Sequence, residues 1–468
     1  MEGNKDTAST VKIESIEAEN NKETKKNSIT VNNVRAMLKL TKDGNVKQTI
    51  ANCRIVLEND SIFKGAIRKN ELSGRTDIVK ETNWKRSTIA FDGTDFNYIL
   101  LHMEENYDIF SEKNAKRAIS IVANDNSYHP IKEKLNSLKW DGMERIGKLL
   151  PRYLGAEECE YTYEATRIML MGAISRVFNP GCKFEYMVCF VGGQGVGKSS
   201  FLRLLAMDNK WFSDDIRKLD DKAVFEKMDG HWICEMAEML ATGNAKSVEE
   251  IKAFLSKQVD SYRRPYSTYP EDIPRQCIFI GTSNNPYFLP FDRSGNRRFI
   301  PLSVNQDKAV HHPLENEDET LAFIEQCWAE AMVMYRNGNN KLVFNEALTE
   351  KLIEMQKQFM TEDFAFTMIQ TYLEEIDTDF VCSKELFKHA LGRGDANATR
   401  SELIEINRIM RENFEGKIWE RTETVHRTAE FKGQKGWVRI EKDKDFKPIK
   451  NDEDIPFEQI KLDELAQE

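Results

Sequence analysis

The stretch Gly192-Gly193-Gln194-Gly195-Val196-Gly197-Lys198-Ser199 has the spacing G-x-x-x-x-G-K-S, and the reading of the whole chain follows from it. Before it, Phe184-Glu185-Tyr186-Met187-Val188-Cys189-Phe190-Val191 is largely apolar and reads as a buried strand; after it, Ser200 to Met207 reads as an amphipathic helix. Strand, glycine-rich turn and helix are the context that a phosphate-binding loop requires. Glycines let consecutive backbone N–H groups turn inward toward phosphate oxygens, and the partial positive charge at the start of the following helix adds to their pull. Lys198 would then reach the terminal phosphates, and Ser199 would offer its hydroxyl to Mg²⁺, an ion that keeps most of its ligands as water and phosphate. Gly192, Gly193, Gln194, Gly195, Val196, Gly197, Lys198, Ser199 and Ser200 are therefore the expected binding residues for a nucleoside triphosphate. A glycine-rich turn that binds nothing is the competing reading, and it leaves the flanking strand and helix unexplained.

Working outward, His231-Trp232-Ile233-Cys234-Glu235-Met236-Ala237-Glu238 reads as a mostly apolar strand ending on one carboxylate, with a second three positions on. Strand ends in such folds face the nucleotide, where a carboxylate can hold Mg²⁺ or orient the attacking water. An ordinary solvated Glu pair is the alternative. Gln276-Cys277-Ile278-Phe279-Ile280-Gly281-Thr282-Ser283-Asn284 repeats the pattern of a buried strand with a polar end, and the Asn284 amide could bond a phosphate or the water. Arg297 and Arg298 then sit on a tight turn before another apolar strand. An arginine fork stays protonated and bonds two oxygens at once, which suits charge that develops on phosphate in the transition state. Lys198, Glu235, Glu238, Asn284, Arg297 and Arg298 are the expected catalytic residues, with Ser199 and Glu235 on the metal.

A helix around Ile251 to Lys257 carries Lys252 and Lys257, and Tyr262-Arg263-Arg264-Pro265-Tyr266 interleaves basic and aromatic side chains. Such a hairpin can hold a nucleic-acid backbone by charge and stack on bases, which makes Lys252, Lys257, Arg263, Arg264 and Tyr266 candidate DNA contacts; a solvated basic loop is the alternative.

At 468 residues the chain is too long for one core and suggests about three domains. No apolar run approaches the roughly 20 residues of a membrane span, and the N-terminus lacks a signal-peptide core, so a cytoplasmic protein without membrane contact is expected. The eight cysteines are scattered with no C-x-x-C pair and read as buried free thiols. A net charge of −10 argues against a basic coat but leaves room for local basic patches. Residues 1–28 are polar and read as disordered, and 448–468 read as an acidic tail. Residues 29–154 are expected to form a small α+β accessory domain. It has helices at Asn33–Leu40, Thr49–Glu58, Asp95–Glu105 and Glu112–Ala123, and short strands at Phe63–Arg68 and Thr76–Val79. A strong helix runs from Tyr161 to Phe178, stopped by Asn179-Pro180-Gly181.

Taken together, Leu138-Lys139-Trp140-Asp141-Gly142, Asn179-Pro180-Gly181-Cys182-Lys183, the phosphate loop, Glu235-x-x-Glu238, Arg263-Arg264-Pro265-Tyr266 and Gly295-Asn296-Arg297-Arg298-Phe299 resemble the virulence-associated protein E family. These are phage and mobile-element ATPases related to superfamily 3 helicases within the AAA+ class. The resemblance implies an α/β fold with an AAA+ P-loop ATPase core at 155–362, ATP and Mg²⁺ as ligands, Glu235 at the end of the Walker B strand and Asn284 as sensor. It also implies Arg297 or Arg298 as a finger acting on the next subunit's ATP, and rings, commonly homohexamers, on single-stranded DNA. Superfamily 3 helicases usually carry adjacent acidic residues at Walker B, whereas Met236-Ala237 separates them here. Which glutamate holds metal and which activates water therefore stays open. Many relatives place a primase-polymerase domain ahead of the motor, so a separate primase or other replication protein is an expected partner.

Long helices at Glu319–Arg336 and Asn345–Met360 could form a lid. Residues 363–447 then read as a winged helix-turn-helix, with helices at Ser383–Leu391 and Ala398–Phe414 and strands at Lys417–Thr428 and Lys435–Ile440. Arg400 and Arg408 on the second helix and Arg427, Lys432 and Lys435 on the wing are candidate duplex contacts. The expected function is an ATP-dependent DNA helicase and replication initiator. The alternatives are an ATP-switched DNA-binding regulator without processive unwinding, and a small-molecule kinase, which would leave the arginine turn and the C-terminal module without a role.

Overall fold

Continuous apolar runs in a parallel sheet mark strands covered on both faces, and β3 (Met187–Val191) is buried at every position. The computed structural model describes residues 31–214, 216, 219, 223–237, 245–263, 269–289, 296–360, 364–394, 397–426, 430–431 and 433–440. It divides into two compact units, Met1–Thr361 and Glu362–Glu468.

In the first unit β3 belongs to a five-stranded sheet with β4 (Phe212–Ser213), β5 (Ile233–Ala237), β8 (Ile278–Ser283) and β9 (Phe299–Ser303), in the order β4-β5-β8-β3-β9. Every neighbouring pair is parallel. β3 therefore lies between the two strands that come last in sequence, and β8 separates it from β5. The ends of β3, β5 and β8 share one edge of the sheet.

Alternation along β3 feeds two cores. Val188 and Phe190 pack with α5 (Ile146–Leu154), α6 (Glu160–Phe178), α7 (Lys198–Leu205) and α10 (Glu317–Arg336) through Leu150, Ile168, Phe201 and Trp328. Met187, Cys189 and Val191 face the other way, onto Ile251 and Phe254 of α9 (Ala245–Leu255) and onto Phe279 and Phe299. Two indoles lock the first layer: Trp232 Nε1 donates to Ala173 O at 3.0 Å, Trp328 Nε1 donates to Leu205 O at 2.9 Å, and the rings lie 4.5 Å apart. Buried tryptophans with satisfied N–H groups contribute large apolar areas without leaving a polar atom stranded.

The N-terminal elements close a separate core around Val56, Leu57, Phe63, Ile99, Met103, Ile119 and Val122. They are a helix over 31–37, α1 (Ile50–Asn59), an antiparallel pair β1 (Ile67–Lys69) and β2 (Thr76–Ile78), α2 (Gly93–Tyr107) and α3 (Glu112–Asp125). The expected strand from Phe63 is shorter than the pattern suggested, because a turn with Gly65 at φ 65° precedes Ile67. Residues 130–154 pack elsewhere than expected. Ile131 and Leu135 of α4 (Pro130–Ser137) and Ile146, Leu149 and Leu154 of α5 join the core of the sheet, so the N-terminal core ends near Tyr128. His129 stitches the two together: its Nδ1 accepts from Lys132 N, capping α4, and its Nε2 lies 2.7 Å from Gln276 Oε1. Burial pushes the His129 imidazole below its usual range.

The second unit runs α12 (Phe364–Glu375), β10 (Phe380–Cys382), a helical turn Ser383–Glu385 continuing as a π-helical turn Leu386–Ala390, α13 (Arg400–Asn413), β11 (Trp419–His426) and β12 (Gln434–Arg439). The strands form an antiparallel sheet in the order β10-β12-β11, and Ile369, Val381, Leu386, Ile409, Trp419 and Trp437 fill its core. α12 and β10 were not expected from the pattern.

One glycine tests this packing. Gly155 ends α5 at φ 61°, and a Cβ there would lie 2.0 Å from Asn305 O. Gly155→Ala is expected to lower unfolding free energy by about 2–4 kcal/mol, from left-handed strain plus overpacking. Denaturant unfolding measures it, and a loss under about 0.5 kcal/mol, the range of an uncrowded surface change, would contradict this contact.

Candidate functional site

The glycine-rich loop from Gly192 to Ser199 is built by opposing demands on its residues. Val196 is buried in the core, while Gly193, Gln194 and Gly195 are exposed. Gly195 and Gly197 take φ values of 87° and 85°, a region that side-chain-bearing residues rarely adopt. At Gly192 a Cβ would lie 2.1 Å from Val304 O, so only glycine lets the loop leave β3 beside β9. Helix α7 starts at Lys198 with no side-chain cap, which leaves its first-turn N–H groups beside the loop.

Lys198 is 9% exposed. Its Nζ donates to Gly192 O at 2.7 Å, Gly193 O at 2.8 Å and Asn284 Oδ1 at 2.8 Å. The Ser199 hydroxyl donates to Glu235 Oε1 at 2.8 Å, and the Thr282 hydroxyl donates to the same oxygen at 2.6 Å. Glu235 is 1% exposed, and its Oε2 has no hydrogen-bond partner among the described residues. Lys198, Ser199, Glu235 and Asn284 thus come together at one edge of the sheet. Thr282 joins them and was missed, because its place beside Glu235 depends on β5 and β8 being neighbours, which no local pattern announces.

The position of Glu235 corrects the expected strand end. β5 runs two residues further, since Met236 pairs with Gly281 and Ala237 with Thr282, so the carboxylate is embedded in the sheet. Glu238 lies outside the described residues. Among the described residues no group of three or more His, Cys, Asp or Glu is placed to hold a metal ion.

Arg297 and Arg298 lie at the opposite end of the sheet. They precede Phe299, which pairs with Met187 at the start of β3, whereas the loop follows Val191. A five-residue strand spans about 16 Å. The two arginines differ in setting. The Arg298 side chain is 20% exposed, with Nε donating to Glu185 Oε2 at 3.2 Å and to Ser256 Oγ at 3.0 Å. The Arg297 side chain is 73% exposed and stands 3.8 Å from Glu185 Oε1.

Of the candidate DNA contacts, Lys252 is corrected: its side chain is only 4% exposed and its ammonium pairs with Glu249 at 3.1 Å, because its position in α9 faces the core. Lys257 is exposed, its ammonium 5.8 Å from the Phe225 ring centroid. Arg263 is exposed at the end of β6 (Val259–Tyr262), which forms an antiparallel hairpin with β7 (Glu271–Pro274). The base of that hairpin is held by a buried pair, Arg275 Nε and Nη2 donating to Asp260 at 2.5 and 2.9 Å. Arg264 and Tyr266 lie outside the described residues, as do Arg427 and Lys432. Arg400 is exposed at the start of α13; Arg408 pairs with Glu405 at 2.9 Å and Lys435 with Glu423 at 2.8 Å. No described helix is long and apolar enough to cross a membrane.

Comparison with solved structures finds similarity to the apo structure of the NrS-1 C terminal region (305–718), at 16% identity and a TM-score of 0.45, covering 80% of this chain and 96% of that one. The A form apo structure of the same region is similar at 15% identity and a TM-score of 0.45, covering 84% of this chain and 100% of that one. No curated protein matches. The model of the virulence-associated protein E-like domain matches residues 135–361, from α4 through the glycine-rich loop, Glu235 and the arginine turn to the end of the first unit. Residues 135–361 of the chain are therefore a virulence-associated protein E-like domain.

Proposed function

We propose that this chain is an ATP-driven DNA helicase and replication initiator of a phage or mobile element, working as a ring with ATP sites between subunits. The observation that carries the reading is the convergence of Lys198, Ser199, Glu235 and Asn284 at the end of β3, with the exposed Arg297 at the far end of the same sheet. A β8 strand between the phosphate-loop strand and the carboxylate strand puts a polar residue, Asn284, beside the lysine. That arrangement supports the reading of Asn284 as the sensor residue of an AAA+ core.

The site fits Mg²⁺ on one specific observation. Glu235 Oε2 is buried without a partner, a state that costs about 1–3 kcal/mol and is relieved by a cation. Ser199 and Glu235 would hold the ion, which when bound neutralises charge on the phosphates. Lys198 would exchange the carbonyls of Gly192 and Gly193 for phosphate oxygens, and Asn284 would orient the attacking water. With Glu235 engaged by two hydroxyls, Glu238 is the carboxylate left to accept the water's proton. Arg297 cannot reach the loop of its own chain and would serve the neighbour's.

DNA would meet the β6–β7 hairpin through Arg263, Arg264 and Tyr266, with Lys257 beside it. In the second unit the order helix, strand, helical turn, helix and two further strands supports a winged helix-turn-helix. Arg400, Arg408, Arg427, Lys432 and Lys435 would face duplex DNA there, and a separate primase would supply primers.

Lys198→Ala is expected to abolish ATP hydrolysis and the unwinding of a forked duplex. Glu238→Gln should keep Mg²⁺-dependent ATP binding while lowering turnover about 10²–10⁴-fold, the usual worth of a general base. Steady-state ATPase assays beside nucleotide titrations separate these, and hydrolysis indifferent to DNA without strand displacement by the assembled ring would overturn the helicase reading in favour of a switch.

The arginines yield a sharper test. Arg297→Ala should lower hydrolysis about 10³-fold or more, as loss of a finger does, while Arg298→Ala should mainly lower stability by severing the Glu185 and Ser256 contacts. Mixing Arg297→Ala with Lys198→Ala subunits should restore part of the activity, because some interfaces then pair an intact loop with an intact arginine. Absence of any restoration in mixed assemblies of confirmed composition would rule out sites shared between subunits.

A further inference from the structure

In the N-terminal core, residues 79–91 join β2 to α2 without regular structure, yet the segment is pinned from within. Arg86 is the pin. Its Nε and Nη2 donate to the two Asp95 oxygens at 2.8 and 3.1 Å, its Nη1 donates to Ile78 O at 3.0 Å, and Nη2 also reaches Ile89 O at 3.1 Å. Trp84 Nε1 donates to the same carboxylate at 2.7 Å, and the Thr82 hydroxyl donates to Trp84 O at 2.8 Å. Arg86 and Asp95 thus satisfy each other and make a floor rather than a contact.

Two clefts run along this floor. One, of about 520 Å³, is lined by Lys80, Glu81, Trp84, Ser87 and Lys210 among others. The second, of about 390 Å³, adds Lys85 and Asp92 and shares Arg86, Ser87 and Thr88 with the first. Lys210 belongs to the helical turn Asn209–Trp211 ahead of β4, so the larger cleft lies between the N-terminal core and an edge strand of the five-stranded sheet. Charge sets the clefts apart. Lys80, Lys85 and Lys210 are exposed, and the Lys85 and Lys210 ammonium groups have no ion-pair partner among the described residues. Lys80 Nζ uses one donor on Lys64 O at 2.6 Å. Of the lining carboxylates, Asp95 is matched by Arg86 and Asp92 accepts from Thr94 N and Asp95 N at the start of α2, which leaves Glu81 against the three lysines. In a chain of net charge −10 this is a local positive field that the total conceals. Trp84 also stacks on Tyr98, with ring centroids 5.5 Å apart and planes at 12°, and Tyr98 is 45% exposed.

We propose that these clefts hold a single strand of DNA, with phosphates on Lys80, Lys85 and Lys210 and a base stacked on Tyr98. The inference rests on the reading that the chain works on DNA, and it gives the N-terminal core a share in that work. Chemistry selects the occupant. Flexible point charges spaced along an open groove suit a repeating phosphodiester, whereas a compact anion is held by donors that converge on one place. Every base has a π face, so an aromatic platform beside a basic groove binds single strands without regard to sequence. Duplex recognition uses an element that enters a DNA groove, and this surface is concave.

The test is the salt dependence of oligothymidylate binding to the full-length protein, followed by fluorescence anisotropy. Each single-strand phosphate contact adds about 0.7 to the slope of log K against log[salt], so Lys80→Ala/Lys85→Ala/Lys210→Ala is expected to lower the slope by about 2 and to weaken binding roughly 10–100-fold at about 0.1 M salt. The three side chains are exposed, so this variant should unfold at the wild-type midpoint. Tyr98→Ala should weaken binding about tenfold with the slope unchanged, because stacking releases no counterions. A slope that the triple variant retains, while Arg263→Ala on the β6–β7 hairpin lowers it, would put DNA on the hairpin alone and overturn the cleft with the DNA reading intact. Polyglutamate binding lost to the same degree in the triple variant would identify an acceptor of acidic polypeptide and overturn it too. If wild type does not bind oligothymidylate, the DNA reading fails and the cleft assignment falls with it.

Discussion

The carboxylate of Glu235 binds three distant stretches of this chain into one site. Its Oε1 accepts from Ser199 at the start of α7 and from Thr282 near the end of β8, while its own backbone is embedded in β5. These hydrogen bonds to a charged acceptor are among the stronger kinds available to a protein. The bond from Thr282 is fully buried, and the one from Ser199 is partly so. The second oxygen is left without a partner among the described residues, so the carboxylate has one side bonded to hydroxyls and one side unmatched.

Around this point the first unit is assembled so that strain and burial fall on the loop. Gly192 is pressed against Val304, Gly197 against His312, and Lys198 is folded onto the carbonyls of Gly192 and Gly193. β8 connects this edge to the rest of the molecule. One of its ends carries Thr282 and Asn284; just before the other, Arg275 is buried against Asp260, and Gln276 meets His129 and the carbonyl of Glu71. A buried ion pair of this kind contributes little net stability against an apolar alternative but is costly to break singly, which suits a role in fixing where the hairpin stands. The N-terminal core and the hairpin therefore both attach at the start of the strand whose end reaches the lysine.

Much of this was legible beforehand, for reasons that differ by residue. The loop could be read because glycine, lysine and serine at fixed spacing are a local requirement of backbone geometry. β3 and β8 could be read because strands buried on both faces need unbroken apolar runs, and α6 because its pattern and its Asn179-Pro180-Gly181 stop are local too. Glu235 was found, though its strand was expected to end on it; β5 is prolonged by pairing with Gly281 and Thr282, which are 45 residues further along the chain. Lys252 looked like a DNA contact because charge usually means exposure, and only packing of α9 turned it inward. α12 escaped because aromatic and β-branched residues such as Phe364, Phe366 and Ile369 carry little intrinsic helix signal, and the helix is stabilised by the core that it joins.

The amino-acid sequence by itself determined that a glycine-rich loop follows a buried strand, which residues make that loop, and which carboxylates and arginines were available near it. Those properties depend on neighbours within a few positions. What the tertiary structure alone decided is their company: that Thr282 shares the Glu235 oxygen, that Asn284 meets Lys198, and that Arg297 stands exposed while Arg298 is held. The reason is the strand order. A parallel sheet brings residues together through crossovers whose length is unconstrained by local pattern, so which strand lies next to which is settled by how the helices pack on both faces.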